Sequence, residues 1–154
     1  MQLADTMDSA QVTSALLAGR VREFYETLDL QSLATIQSLY AGDICFEDPI
    51  RGLQGLRALE DHFKHLLQNS DQCRFKFHRS VVNDEGMFFS WTMLLRHKAI
   101  KHGQLIRVEG SSYLKHRNGK VYYHRDYFDL GALVYENVPL LGSLIKLIKN
   151  RMSQ

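Results

Sequence analysis

The chain is predicted to be α+β, with helices packed on one face of a mostly antiparallel, curved sheet. Three observations carry this. Helical spacing dominates up to about residue 70, apart from one short strand-like run, whereas the segment from Cys73 to Asp129 alternates with the period of a strand. Asn118-Gly119 is a two-residue hairpin signal inside that alternating region. The run Met87 to Leu95 is apolar on both sides, with Phe89, Trp91 and Met93 on one face and Phe88 and Leu94 on the other. Helices can cover only one of those faces, and a second copy of the same sheet is the simplest cover for the other.

Taken in order, Leu17, Val21, Phe24, Tyr25 and Leu28 mark the stripe of a first helix, with Asp8-Ser9 as candidate caps upstream. Leu33, Ile36, Leu39 and Tyr40 carry a shorter second helix, which Asp29 or Ser32 could cap and Gly42 could end. A strand from Ile44 to Asp48 stops at Pro49, and Arg51-Gly52 turn into a third helix bearing Leu56, Leu59, Phe63, Leu66 and Leu67. Cys73, Phe75 and Phe77 then alternate with Arg74, Lys76 and His78, and Asn83 to Gly86 supply a turn into the doubly apolar strand. A loop at His102-Gly103 leads to the two strands of the Asn118-Gly119 hairpin, about Leu105 to His116 and Val121 to Asp129. The tail turns helical again after Pro139, with Leu140, Leu141, Leu144, Ile145 and Ile148 on one side and Lys146, Lys149 and Arg151 toward the other. Such a basic amphipathic helix could lie on a membrane surface, but packing on its own domain is the favoured expectation.

At 154 residues with 45% hydrophobic content, one domain with a sizeable core is expected. Lys plus Arg exceed Asp plus Glu by only two, and no basic run is interleaved with aromatics, so nucleic acid is not an expected partner. Cys45 and Cys73 lack CxxC spacing and are read as reduced thiols. Asp5 and Asp8 stand where a signal peptide would need positive charge, no apolar run reaches bilayer length, and a cytoplasmic location is expected. Neither a metal nor a cofactor is expected, because His62 and His65 on the third helix lack an evident carboxylate or thiol partner.

Candidate chemistry starts at Asp48. In the alternation Ile44-Cys45-Phe46-Glu47-Asp48 it falls on the apolar side with Ile44 and Phe46. A carboxylate there is either a general base tuned by burial, or a cap or partner of a buried cation. A second candidate group follows from the hairpin. If Arg117 pairs with Lys120 and the register stays regular, Tyr113 faces His124, Ser111 faces Asp126 and Glu109 faces Phe128, all on one side of the sheet. Hydroxyl, imidazole and two acids side by side suit proton transfer. The competing reading makes that side the wet exterior and builds the core from Ile106, Val108 and Leu114 on the other. Trp91 is either a pocket wall or a core and interface residue.

Phe24-Tyr25, Leu39-Tyr40-Ala41-Gly42-Asp43, Phe46-Glu47-Asp48-Pro49, Gly52-Leu53-Gln54-Gly55, Asn118-Gly119-Lys120-Val121 and Tyr127-Phe128-Asp129, in that order, resemble the nuclear transport factor 2-like superfamily. The SnoaL-like and ketosteroid-isomerase-like branches are the nearest in pattern. The resemblance covers a core of about residues 12–130, leaving a C-terminal helical extension over 131–152 as an addition. It implies a cone in which a bent antiparallel sheet wraps three helices around an apolar pocket, with a homodimer through the outer face of the sheet. It implies Asp48, His124 and Asp126 as catalytic groups. Phe24, Tyr25, Trp91, Glu109, Ser111, Tyr113 and Phe128 become the ligand-binding set for a small apolar molecule. By the same resemblance the oxyanion-donating tyrosine of ketosteroid isomerase, an enzyme that serves as a standard worked example, falls on Phe24 and its partner acid on Ser111. Steroid isomerisation is therefore not expected, and isomerase, cyclase or dehydratase chemistry by proton transfer competes with non-catalytic ligand or protein binding. Arg107 with Glu109 faintly resembles the water-activating set of limonene epoxide hydrolase, with Glu in place of the aspartate of that pattern.

Overall fold

A computed structural model describes residues 2–153. The first helix, α1 (Gln2–Glu26), runs past Asp8-Ser9, so those residues lie within it and do not cap it. Leu17, Ala18, Val21, Phe24, Tyr25 and Leu28 recur at helical spacing and are buried. The second helical segment is a 3-10 turn, Ser32–Ser38, opened by Asp29, whose Oδ1 accepts from the backbone N–H groups of Gln31 and Ser32. The chain is already extended at Tyr40. Strand β1 is Tyr40–Glu47, with Gly42 inside it where a helix end was expected.

A short strand, β2 (Gly52–Gln54), doubles back on β1 where only a turn was expected. Gly55, at φ +90°, then starts α2 (Leu56–Gln68), a backbone angle that favours a residue without Cβ. The remaining strands are β3 (Ser70–Val82), β4 (Met87–His97), β5 (Ile106–Arg117) and β6 (Lys120–Phe128). They form a six-stranded, curved open sheet in the order β2-β1-β6-β5-β4-β3, antiparallel throughout except where β1 runs parallel to β6.

The concave face carries Met87, Phe89, Trp91, Met93 and Leu95 of β4 against Leu17, Val21 and Tyr25 of α1 and Leu59 and Phe63 of α2. Each large apolar side chain so buried contributes about 1.5–3 kcal/mol. On the convex face Phe88 stays 43% exposed and Leu94 is half-buried, so the second apolar face of β4 meets solvent in the single chain.

The hairpin expected at Asn118-Gly119 is present, with both turn residues at positive φ. Arg117 pairs with Lys120 and His116 with Val121, but Lys115 then pairs with Tyr123. Tyr122 is the extra residue of a β-bulge, and every later partner is displaced by one. His124 therefore faces Leu114, Asp126 faces Ser112 and Phe128 faces Gly110. A slip of one residue exchanges the two faces of a strand.

Beyond β6 the chain forms a single helical turn, α3 (Leu130–Leu133), capped by Asp129 Oδ1, which accepts from the Ala132 N–H. The last helix is α4 (Leu141–Met152). It touches its own chain along one edge. Gly142 packs on the Glu136 backbone and Lys149 reaches Glu136 and Asp129. The apolar stripe does not pack on the domain as expected, since Leu140, Leu141, Leu144 and Ile148 are all exposed. Among the described residues, no helix is long and apolar enough to cross a membrane.

Candidate functional site

Between α2, the turn after β1 and the concave face of the sheet lies a cavity of about 330 Å³, at the small end of the ~300–1,000 Å³ range of ligand sites. Phe46, Phe63, Phe75, Trp91, Met93 and Phe128 give it an apolar wall. Its polar lining includes Asp48, Arg51, His62, His65, His97 and Asp126.

Asp126 is set into the floor, with 16% of its side chain exposed. Its Oδ1 accepts from Ser112 Oγ at 2.5 Å and from His124 Nε2 at 2.8 Å. Ser112 Oγ in turn accepts from Trp91 Nε1 at 2.8 Å. On the far side of the imidazole, the Tyr40 hydroxyl lies 2.8 Å from His124 Nδ1, and the Tyr25 hydroxyl lies 2.7 Å from that of Tyr40. With the imidazole neutral, one arrangement of protons satisfies the chain. Tyr25 donates to Tyr40, Tyr40 to Nδ1, and Nε2–H to Asp126, while Trp91 donates to Ser112 and Ser112 to Asp126. Burial holds the Tyr25 and Tyr40 hydroxyls well above the ordinary phenol range, so both remain protonated donors. A buried polar network stays intact only when every member is satisfied, and this one is. Asp126 Oδ2 has no protein partner among the described residues, and it is the oxygen left for a ligand.

Gly110 makes the floor possible. A Cβ there would overlap the Trp91 indole, which lies across this glycine to reach Ser112.

Asp48 stands one residue beyond β1 and lines the same cavity. Its Oδ1 accepts from the N–H groups of Ile50 and Arg51, at 2.6 and 2.8 Å, and its own N–H donates to the Arg51 carbonyl. Of the two alternatives open at the sequence level, this is the capping role, exerted on the turn after Pro49 and not on a helix. Asp48→Ala is expected to cost about 1 kcal/mol, the usual value of such a cap, and Asp48→Asn less than half of that because the amide oxygen still accepts. Urea unfolding of the two variants measures both. A loss above 3 kcal/mol in Asp48→Asn would show a buried charge partner instead.

His62, half-buried on α2, was set aside at the sequence level because it lacked a metal-binding partner. It lines the cavity and has no hydrogen-bond partner among the described residues. Burial, reinforced by the nearby Arg51 charge, holds its imidazole below the ordinary range, against the pull of Asp48 and Asp126. Near Leu59, Phe63 and Leu66 on the helical wheel, it belongs to the inward stripe, and that spacing was the available signal. Above about pH 6.5 both folded and unfolded chains carry this residue neutral. Below it the unfolded chain takes the proton first, so the stability held at neutral pH is lost as pH falls from about 6.5 through the lower folded-state value. The urea midpoint is expected to fall more between pH 8 and pH 5.5 in wild type than in His62→Gln. Equal falls would contradict a desolvated His62.

Other residues of the expected set lie elsewhere. Glu109, Ser111 and Tyr113 lie on the convex face, because the bulge at Tyr122 pairs their inward neighbours with β6. There Glu109 accepts from Thr92 and pairs with Arg107, both Arg107 and Glu109 being largely exposed, so this pair is away from the cavity. Phe24 is buried edge-on against Tyr25 and does not line the cavity. Tyr25, Trp91 and Phe128 do line it. The residues missed were Ser112, Tyr40, Arg51 and His62. Cys45 and Cys73 are free, and burial pushes the Cys73 thiol up to about 12, which leaves it inert. Among the described residues no group of three or more His, Cys, Asp or Glu is placed to hold a metal ion.

Solved structures share this architecture at low identity. A protein assigned as a SnoaL-like polyketide cyclase from Jannaschia sp. superposes with a TM-score of 0.68 at 12% identity, covering 80% of this chain and 90% of that one. A ketosteroid isomerase-like protein from Catenulispora acidiphila, solved with trimethylamine, gives 0.65 at 12%, covering 79% and 90%. AclR of Streptomyces galilaeus, assigned as a hydroxylase, gives 0.65 at 15% and covers 93% and 96%. No curated protein sequence matches the chain. The family described as the SnoaL-like domain matches residues 21–124, most of the domain that builds the cavity, and the chain belongs to that family.

Proposed function

We propose that the chain binds a small, largely apolar metabolite in this cavity and moves a proton on it, as an isomerase, cyclase or dehydratase does, with Asp126 as the base. The observation that carries the reading is the Asp126 carboxylate, which lines a largely apolar cavity and is braced through Oδ1 by Ser112 and His124 while Oδ2 has no protein partner among the described residues. A fixed carboxylate in a largely apolar cavity is suited to take a proton from carbon next to a carbonyl. His62, neutral at pH 7 and lining the same cavity, is the group suited to return the proton or to meet the enolate oxygen. His124 orients Asp126 and does not itself face the substrate.

The test is exchange of the acidic C–H protons of an apolar β-ketoester, ethyl benzoylacetate, in D2O, followed by NMR. Exchange well above the buffer rate supports the reading, and exchange at the buffer rate with bound ester contradicts it. That second result would favour a non-catalytic ligand-binding domain. One observation already favours that alternative: the hydroxyls of Tyr25 and Tyr40 and the Trp91 N–H are spent on the buried network, so none of these three is free to stabilise an oxyanion as the tyrosine of ketosteroid isomerase does.

As part of the same proposal, the chain self-associates through the convex face of the sheet, supported by Phe88 and Tyr127, which are 43% and 48% exposed there. Sedimentation velocity is expected to show a dimer in wild type and a monomer in Phe88→Glu. A monomeric wild type would contradict it.

A further inference from the structure

The polar groups of the cavity are not equally committed. Asp48 Oδ1 holds the 48–51 turn, Asp126 Oδ1 holds Ser112 and His124, the Tyr25 hydroxyl meets Tyr40, and Trp91 Nε1 meets Ser112. His97 accepts from the Ala99 N–H through Nδ1, and His65 lies against Asn69. Asp48, Asp126 and His97 each keep one polar atom uncommitted, and the side chains with no hydrogen bond or ion pair at all among the described lining residues are the Arg51 guanidinium and the neighbouring His62 imidazole.

These groups grade along the cavity. Asp126 is the largely buried floor, His62 on α2 is half-buried, and Arg51 is exposed at the mouth. Among the described lining residues the ionisable groups besides Arg51 and His62 are His65, His97 and two acids, Asp126 at the floor and Asp48, one of whose oxygens is already engaged by backbone. A planar guanidinium beside an apolar cavity, with its donors free, matches a carboxylate by two parallel hydrogen bonds. The inner walls, built from Phe75, Trp91 and Phe128, match one or two hydrocarbon rings.

We infer that the ligand is an amphipathic organic acid, seated with its hydrocarbon body on Trp91 and its carboxylate at the mouth on Arg51. This rests on the cavity being a ligand site, as proposed above, and adds the chemical class. It also fixes the direction of binding, with the carboxylate outward and the carbon skeleton toward Asp126.

Trp91 is the sole tryptophan and lines the cavity, so its emission reports occupancy directly. The probes are 4-cyclohexylbutanoate and its primary amide, which share a body, do not absorb with tryptophan and differ in the charged group. The acid is expected to bind wild type at least tenfold more tightly than the amide, with the difference shrinking as salt is raised. In Arg51→Gln the two should bind within twofold of one another. Arg51→Lys, which keeps the charge and loses the fork, should retain part of the preference. Equal binding of acid and amide to wild type, or a preference that survives in Arg51→Gln, overturns the inference and leaves the cavity a ligand site. If neither compound moves Trp91 emission nor gives a heat of binding by calorimetry, the cavity reading itself falls and takes the inference with it.

Discussion

His124→Phe is expected to destabilise the protein by about 3–5 kcal/mol, since a hydrogen bond to a carboxylate contributes about 1.5–3 kcal/mol and a buried hydroxyl left without its acceptor costs about 1–3 kcal/mol. Phenylalanine isolates the hydrogen bonds from the packing. The imidazole is stacked parallel to Tyr40 at 6.0 Å and edge-on to Phe46 at 5.1 Å, and a phenyl ring can keep both contacts. What it cannot keep are the donor to Asp126 Oδ1 and the acceptor for the Tyr40 hydroxyl. His124 is 1% exposed, so water does not replace either. Asp126 would be left with only Ser112, and the Tyr40 hydroxyl would have lost its acceptor. For a chain of this size the melting temperature should fall by on the order of 10 °C. A loss below about 1 kcal/mol would mean that the Tyr40–His124–Asp126 chain contributes little, and the bracing of Asp126 would have to be sought elsewhere.

The cone was legible in sequence because its determinants are local. Period-two runs, an Asn-Gly turn and helical stripes each specify their own element, and motif order supplied the way they wrap. The site was legible by halves. β5 was read two ways, with Ile106, Val108 and Leu114 as core or with Glu109, Ser111 and Tyr113 beside His124 and Asp126 in the pocket. A regular hairpin forbids Leu114 and His124 from sharing a face. The bulge at Tyr122 lets them, so each reading was right about one strand. The extra residue is stabilised by contacts that no pattern exposes, among them the Tyr122 ring under the Arg117 guanidinium at 4.7 Å. Asp48 was legible in part. It lines the cavity with Phe46 as the alternation implied, but β1 ends at Glu47, and no spacing shows that its Oδ1 is engaged by the backbone N–H groups of the turn that follows. Arg51 and His62 were missed because their interest lies in side chains left without a hydrogen bond or ion pair among the described residues, a property of the folded cavity and not of any spacing.

Asp126→Asn, compared with wild type at equal folded concentration in the ester exchange reaction, tests the central claim most directly. The asparagine carbonyl can still accept from Ser112 and His124, so the network holds and stability should change by less than about 1 kcal/mol. The amide nitrogen then replaces the oxygen that opens on the cavity, and it cannot accept a proton. Exchange is expected to fall by about 10²–10⁴-fold, the usual contribution of a positioned general base, with ester binding retained as read from Trp91. Unchanged exchange in a folded, ligand-binding Asp126→Asn would contradict the account and remove Asp126 as the base.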